Sequence, residues 1–412
     1  MALAVSRWSS GSCLARSIIR VKGLIKGVAK RVFQAMPGPV DQLSRATGRR
    51  VFGVRSYWSE ASVVLEPIDV SFTVPPVTSF VQETYKWPKQ VIATPVGVRG
   101  VYRDLGVGIA HLNHAVVAGD GRVFDRDHRL VSESLATHDY QAVNFGPWTQ
   151  RHNFALDGVA IALNWWSGNT NVYHWLRDVF ARAFVLTSLQ PDTPLTIVGP
   201  SVPTPFQQYS FDALLSRFPQ ARYLGLHYGH KVVIEQLLQP AMPPYVRGCG
   251  YLRPEVASFI RETLSAGIAP ADLSSPHTYI SRAHTASRRL VNESEVLDRV
   301  TSRVPMNVVR IEEFAWRDQL AAMMSTNVLA GVYGAGLVHM LFTRGGGVVE
   351  IHNGDSAETH FSTMAAGCGV PFISVQGGPA DRNQDFALSV AQTDVLITAL
   401  EHMVRRAEQH NS

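Results

Sequence analysis

Apolar positions do not follow one period along this chain, and the changes of period divide it. Leu14, Ile18, Val21, Ile25, Val28 and Val32 recur at steps of three and four, one face of a helix, while Arg16, Arg20, Lys22, Lys26, Lys30 and Arg31 occupy much of the rest. Met36–Arg50 mixes Pro and Gly with charge and predicts a linker. Between residues 60 and 145, the short apolar runs Ser62–Leu65, Val91–Ala93, Ile109–Val117 and Gly121–Phe124 are broken by Pro, Gly and Asp, which predicts strands and turns. Alternation follows: a helix over Val172–Leu189, a strand at Leu195–Val198, a helix at Phe206–Arg217 and a strand at Arg222–Leu226. Pro254 opens a predicted helix over 254–266. Beyond it come strand His277–Ser281, helix Glu293–Ser302, strand Asn307–Ile311, helix Ala315–Ser325 and strands Val328–Val332 and Val348–Ile351. The expectation is an α/β protein with two parallel-sheet domains: a basic tail and linker over 1–50, an N-terminal domain over 51–253 with a β-rich lead-in, and a C-terminal domain over 254–412.

Composition agrees with a two-domain reading, since 412 residues with 46% hydrophobic content exceed what one compact core holds. The net charge of +5 first suggests a nucleic-acid partner. Ten of the 38 Lys and Arg, but one of the 33 acidic residues (Asp41), lie in residues 1–50, so the folded body is slightly acidic and no nucleic-acid partner is expected. Cys13, Cys249 and Cys368 lie too far apart for a disulfide framework or a zinc site, which fits a reducing compartment. No stretch reaches the roughly 18 to 20 uninterrupted apolar residues of a membrane span, nor the continuous apolar core of a secretion signal. Residues 14–33 suit a helix lying on an anionic membrane surface, a disordered basic arm, or an organelle-targeting (mitochondrial) peptide if the source is eukaryotic.

Three segments carry candidate chemistry. In "YISRAHTASRRLVNE" a strand delivers Ser281 and Arg282, a basic loop carries Arg288 and Arg289, and Asn292 and Glu293 stand at a helix start. These groups suit either an anionic ligand, gripped by guanidinium forks and helix-terminal amides, or a solvated loop in which Asn292 and Glu295 cap the helix. Strand Val328–Val332 then ends in Tyr333-Gly334-Ala335-Gly336, small residues at a strand's carboxyl end, where α/β proteins bind ligands. His339 stands where a dinucleotide fingerprint needs its third glycine, which disfavours NAD and a nucleotide-dependent epimerase. Arg344-Gly345-Gly346-Gly347 reads as a tight turn before the strand bearing Glu350 and His352, candidates for holding ribose or sugar hydroxyls. In "GNTNVYHWLRDVFAR", His174 and Asp178 are four apart and share a helix face beside Tyr173 and Trp175. Such a pair serves general-base activation of a hydroxyl, or is simply a packed helix end.

In their order and spacing these segments resemble glycosyltransferase family 61, which includes plant wall xylosyl- and arabinosyltransferases and animal protein O-GlcNAc transferases. The resemblance covers roughly residues 60 to 380. It rests on Tyr173-His174-Trp175, Ser281-Arg282, Arg288-Arg289-Leu290, Asn292-Glu293, Gly334-Ala335-Gly336-Leu337, Met340-Leu341-Phe342 and Glu350-Ile351. It implies a GT-B-like fold, two Rossmann-type domains facing a cleft, with a nucleotide-sugar donor (a UDP-sugar) in the C-terminal one. It further implies transfer with inversion to a hydroxyl of a polysaccharide, glycolipid or glycoprotein, with no cofactor and no obligatory metal. On that plan His174 or Asp178 is the base or acceptor positioner, and Arg282, Arg288 and Arg289 receive the diphosphate. Tyr173, Ser281, Asn292, Glu293, Tyr333, Gly334, Ala335, Gly336 and Glu350 complete the donor and acceptor pockets. Two positions depart from the pattern: Tyr333 replaces a His, and His339 replaces an Asn, where donor contacts are expected. These changes leave a non-catalytic, sugar-binding or scaffold subunit as the competing expectation. A cytoplasmic enzyme at the inner face of a membrane is the expected setting.

Overall fold

The computed structural model describes residues 54–55, 60–66, 68–74, 91–94, 97–104, 106–131, 134, 152–163, 171–190, 192–241, 250–354 and 359–411. The amphipathic segment 14–33 and the linker over 36–50 lie outside them. The fold is α/β, and the described residues form a nine-stranded, a five-stranded and a three-stranded sheet.

The five-stranded sheet is wholly parallel, in the order Asn307–Val309, His277–Ile280, Val328–Val332, Gly347–His352, Phe372–Gln376. Counted along the chain this is 2-1-3-4-5: the chain steps outward from the first strand to the second, then crosses back to the third. A crevice therefore opens at the carboxyl ends of His277–Ile280 and Val328–Val332, where connections leave in opposite directions. Both faces of this sheet are covered, which is why its strands read as apolar runs. Val328, Ala330, Val332, Val349 and Ile351 pack against helices α4 (Glu293–Thr301) and α7 (Val390–Asn411). Leu329 and Val348 join the cluster of α3 (Pro254–Ser265), α5 (Trp316–Ser325) and α6 (His360–Cys368) on the other face.

The nine-stranded sheet is mixed. Val107–Ala118 runs antiparallel to His230–Ala241, which runs parallel to His152–Ala162, followed by Leu195–Pro200 and Ala221–Leu226. Neither His152–Ala162 nor His230–Ala241 is evident from periodicity, because their pairing is interrupted. Register shifts between Ile234 and Gln236, so that Asp157 and Gly158 oppose Glu235. Gly158, at φ +83°, donates its N–H to Glu235 Oε2 at 2.7 Å, closing the bulge.

The predicted helix over Val172–Leu189 is present but irregular. One α-helical turn, α1 (Val172–His174), passes into a π-helical turn at Trp175–Val179 and a 3₁₀ run at Phe180–Ser188. Asn171 caps it, its side chain accepting from the amides of Tyr173 and His174. Helix α2 (Pro205–Arg217) follows the prediction, whereas the predicted strand Asn307–Ile311 stops at Val309 because Ile311 opens a 3₁₀ turn. Gly345 takes φ +85° in the turn before Gly347–His352, as a tight turn requires.

One buried cluster joins the two large sheets, running from Val107 and Ile161 through Trp175, Phe180 and Phe259 to Ile280, Leu329 and Val348. Within it Trp175 meets Phe206 at 6.4 Å, Phe206 meets Trp316 at 6.1 Å, and Trp316 meets His339 at 5.4 Å. Among the described residues no helix is long and apolar enough to cross a membrane.

Candidate functional site

The crevice of the parallel sheet is edged by Ser281 and Arg282 from one strand end and by Tyr333 and Gly334 from its neighbour. What holds them is a buried carboxylate. Glu293, at the start of α4, accepts from Tyr279 Oη at 2.9 Å and from Ser281 Oγ at 2.5 Å, and faces the Arg282 amide at 3.4 Å. Burial and the adjacent Glu293 push the Tyr279 phenol far up, so it stays a donor. Glu293 is thus spent on fixing the strand end.

Arg282 leaves that end and lies over Gly334. A Cβ on residue 334 would sit 2.1 Å from Arg282 Nη1, so glycine leaves the space the guanidinium occupies, while the backbone is fully extended. Arg282 Nη2 donates to the Ser287 carbonyl at 3.0 Å, and its buried Nε has no partner among the described residues. Burial and the nearby Arg288 charge both pull its pKa down. Arg288 is itself in the left-handed region at φ +58°, its amide donating to Asn383 O at 3.1 Å. Its guanidinium stands 5.1 Å from the centroid of the Tyr333 ring. Neither arginine forms an ion pair among the described residues. Two partly buried like charges side by side cost free energy that an anion between them would recover.

The remaining members of this motif are placed differently. Arg289 pairs with Asp385, its Nε at 2.9 Å and its Nη2 at 2.6 Å from Oδ2. Asn292 exchanges hydrogen bonds with the backbone of Leu388, at 2.9 and 3.1 Å, instead of capping α4. Ala335 and Gly336 begin the 3₁₀ run Ala335–Phe342, with Gly336 packed on Ile280. Glu350 is buried on its strand, 3.4 Å from Ser374 Oγ. His339 is fully buried, its nitrogens 2.8 Å from Gly336 O and 3.0 Å from Gln319 Oε1, and burial drops its pKa to about 4. The exchange at residue 339 is therefore read by the core. A cavity of about 40 Å³ sits among Ser281, Arg282, Thr285, Glu312, Gly336 and Leu337.

His174 and Asp178 meet as their spacing predicts, Nδ1 to Oδ2 at 2.7 Å. The π-helical turn between them carries Arg177, which donates to Asp178 Oδ1 at 2.6 Å. Arg182 binds the Asp178 carbonyl at 2.7 Å. Burial alone would raise the Asp178 pKa, but the Arg177 charge and the His174 hydrogen bond outweigh it and hold the carboxyl below its ordinary value. An ionised Asp178 on Nδ1 fixes the tautomer, so that Nε2 is the ring nitrogen that can accept a proton.

His360, at the start of α6, links the two halves, and no sequence motif marked it. Its Nδ1 lies 2.8 Å from Tyr333 Oη, and its ring stands 5.6 Å from that of Tyr173, which stands 5.2 Å from that of His174. Phe361 meets both tyrosines edge-on at 5.4 Å. Among the described residues no group of three or more His, Cys, Asp or Glu side chains is arranged to hold a metal.

Comparison with known proteins bears on the same segments. Residues 172–349, which run from α1 into the strand Gly347–His352 and stop one residue before Glu350, match the family described as Glycosyltransferase 61. Over 129 residues the chain is 30% identical to a Drosophila melanogaster protein, the EGF domain-specific O-linked N-acetylglucosamine transferase. That similarity covers 28% of this chain and 24% of the fly protein, about a quarter of the relative's length.

Proposed function

We propose, on the premise that residues 172–349 form a glycosyltransferase 61 domain, that this protein moves a sugar from a nucleotide-sugar donor to a glycan hydroxyl with inversion. The observation that carries the reading is the pair Arg282 and Arg288 at the switch point of a parallel sheet, two cations that form no ion pair among the described residues, with Glu312 and Asp385 acting on Arg282 only from farther off. A GT-B-like division, with the acceptor on the 51–253 side and the donor on the 254–412 side, accommodates both halves of the chemistry.

In the proposed reaction the acceptor hydroxyl attacks the anomeric carbon as the bond from that carbon to the diphosphate oxygen breaks. The hydroxyl proton passes to His174 Nε2, and Asp178 stabilises the imidazolium that results. The leaving nucleoside diphosphate gathers negative charge, which Arg282 and Arg288 receive without reorganising. Tyr173, Ser281, Gly334, Ala335 and Gly336 lie along the two strand ends and α1, where they would line the donor and acceptor, with Glu350 on the adjacent strand Gly347–His352 beneath them. The fly relative is named for O-linked transfer of N-acetylglucosamine, which makes UDP-N-acetylglucosamine the first donor to try. The basic segment over 14–33 would hold the enzyme at a membrane surface carrying a lipid-linked or other glycan acceptor.

The test is a thermal-shift screen of UDP-N-acetylglucosamine, UDP-xylose, UDP-galactose, GDP-mannose and CMP- and dTDP-sugars, with and without Mg²⁺ or Mn²⁺. One nucleotide sugar should raise Tm without added metal, since a ligand that binds only the folded state stabilises it by mass action. His174→Ala should keep that shift and lose transfer. A protein that no nucleotide sugar stabilises would instead be a non-catalytic, sugar-binding or scaffold subunit.

A further inference from the structure

Arg288 is held in place by more than its own backbone. The left-handed φ of +58° and the amide bond to Asn383 O aim the side chain back across the sheet end, where it meets the Tyr333 ring at 5.1 Å. That ring is fixed in turn. His360 bonds its hydroxyl at 2.8 Å, and Phe361 packs against it at 67°. An aromatic face attracts a guanidinium, so Tyr333 offsets part of the repulsion between Arg288 and Arg282 before any ligand arrives. Tyr333 is also one of the two positions at which the chain leaves the pattern of the proteins it resembles, and His360 brings an imidazole to its hydroxyl from α6, 27 residues away.

We infer that Tyr333 and His360 are positioning residues for Arg288, the ring as its seat and the imidazole as the clamp on that seat. Together they set how tightly the nucleoside diphosphate is held. The inference rests on the reading of Arg282 and Arg288 as the diphosphate site. It assigns the departure at 333 to donor affinity and leaves proton transfer to His174.

The experiment titrates uridine diphosphate, and separately pyrophosphate, into the full-length protein and its variants. Tyr333→Leu should weaken binding about tenfold, the scale of a partly desolvated cation–ring contact, while Tyr333→Phe, which keeps the ring, stays within about threefold of the parent. His360→Ala should fall between them. The decisive comparison repeats Tyr333→Leu in an Arg288→Ala background, where a seat with no arginine to hold has no further effect. Equal losses in both backgrounds would make Tyr333 a merely structural residue and overturn the inference, as would full affinity in Tyr333→Leu. In the transfer assay the same variant should raise the donor KM and leave the pH profile of kcat unchanged, and a shifted profile would also count against it. If Arg282→Ala and Arg288→Ala both bind uridine diphosphate like the parent, the diphosphate site itself is elsewhere, and the functional reading falls together with the inference drawn from it.

Discussion

The two halves of the candidate site treat charge in opposite ways. Around Asp178 every charge is answered: Arg177 and His174 take one carboxylate oxygen each, and Arg182 takes the backbone carbonyl. Around Gly334 two guanidiniums approach and neither forms an ion pair among the described residues; burial and mutual repulsion pull the Arg282 pKa down, against a weaker pull from Glu312 and Asp385. The first arrangement is complete before substrate arrives and keeps an imidazole oriented. On the proposed reading the second is completed by a diphosphate from outside, and the fold carries its cost until then. Charge that the fold has already answered belongs to stability as well as chemistry, whereas unanswered charge belongs to binding.

The sharpest way to break this contrast is to remove the answer on the first side. Asp178→Ala takes from the buried Arg177 guanidinium the carboxylate it donates to at 2.6 Å and should cost about 3 to 5 kcal/mol of stability, read from urea denaturation midpoints. Loss of transfer with full stability would show that the carboxylate is not structural.

Acid should separate the buried groups from one another. Asp178 has a depressed pKa, so its contribution is present above the unfolded value of 3.8 and is lost only as pH falls below that. His339 falls from 6.5 unfolded to about 4 folded, so between those values the unfolded chain binds the extra proton and acidification destabilises the fold. Between pH 6.5 and 4 this should remove about 3 kcal/mol, a contribution that His339→Asn takes away, leaving the part from His277, whose pKa burial also lowers. Denaturation series at several pH values in both proteins measure it, and an unchanged slope in the variant would place the acid-sensitive group elsewhere.

On the second side the expected changes are in affinity. Arg282→Ala should weaken uridine diphosphate binding by about 2 kcal/mol, the scale of a charged hydrogen bond, and leave stability equal or slightly higher as the repulsion with Arg288 is relieved. Gly334→Ala should act in the same direction but more weakly, because its Cβ displaces the mobile end of Arg282 and removes nothing. Calorimetric titration separates these outcomes, and a Gly334→Ala protein with parental affinity would show that Arg282 binds equally well when displaced.

The sequence made the C-terminal sheet legible because strands such as Val328–Val332 are buried on both faces and carry uninterrupted apolar residues. His230–Ala241 escaped because "VVIEQLLQ" has a spacing a helix could also use, and only the Glu235–Gly158 contact at the bulge explains the charge in its middle. His174 and Asp178 were visible because four residues fix their distance. The roles of Arg289 and Asn292 were not, since their partners Asp385 and Leu388 lie 96 residues on, and composition cannot say which arginines of a basic loop are already occupied. His360 gave no signal because its meaning comes from Tyr333 and Tyr173, which only the fold brings to it.

The ring contacts running from Trp175 through Phe206 to Trp316 and His339 also bear on how the molecule moves. Both large sheets rest on the same interlocked side chains, so a change in their relative angle is not a swing about a slack linker. Any such change would slide the rings past one another, a shear in which each step is small and the contacts are kept. The molecule would then admit a ligand at the strand ends chiefly by adjusting the loops that carry Arg282 and Arg288, while the seam beneath them stays closed.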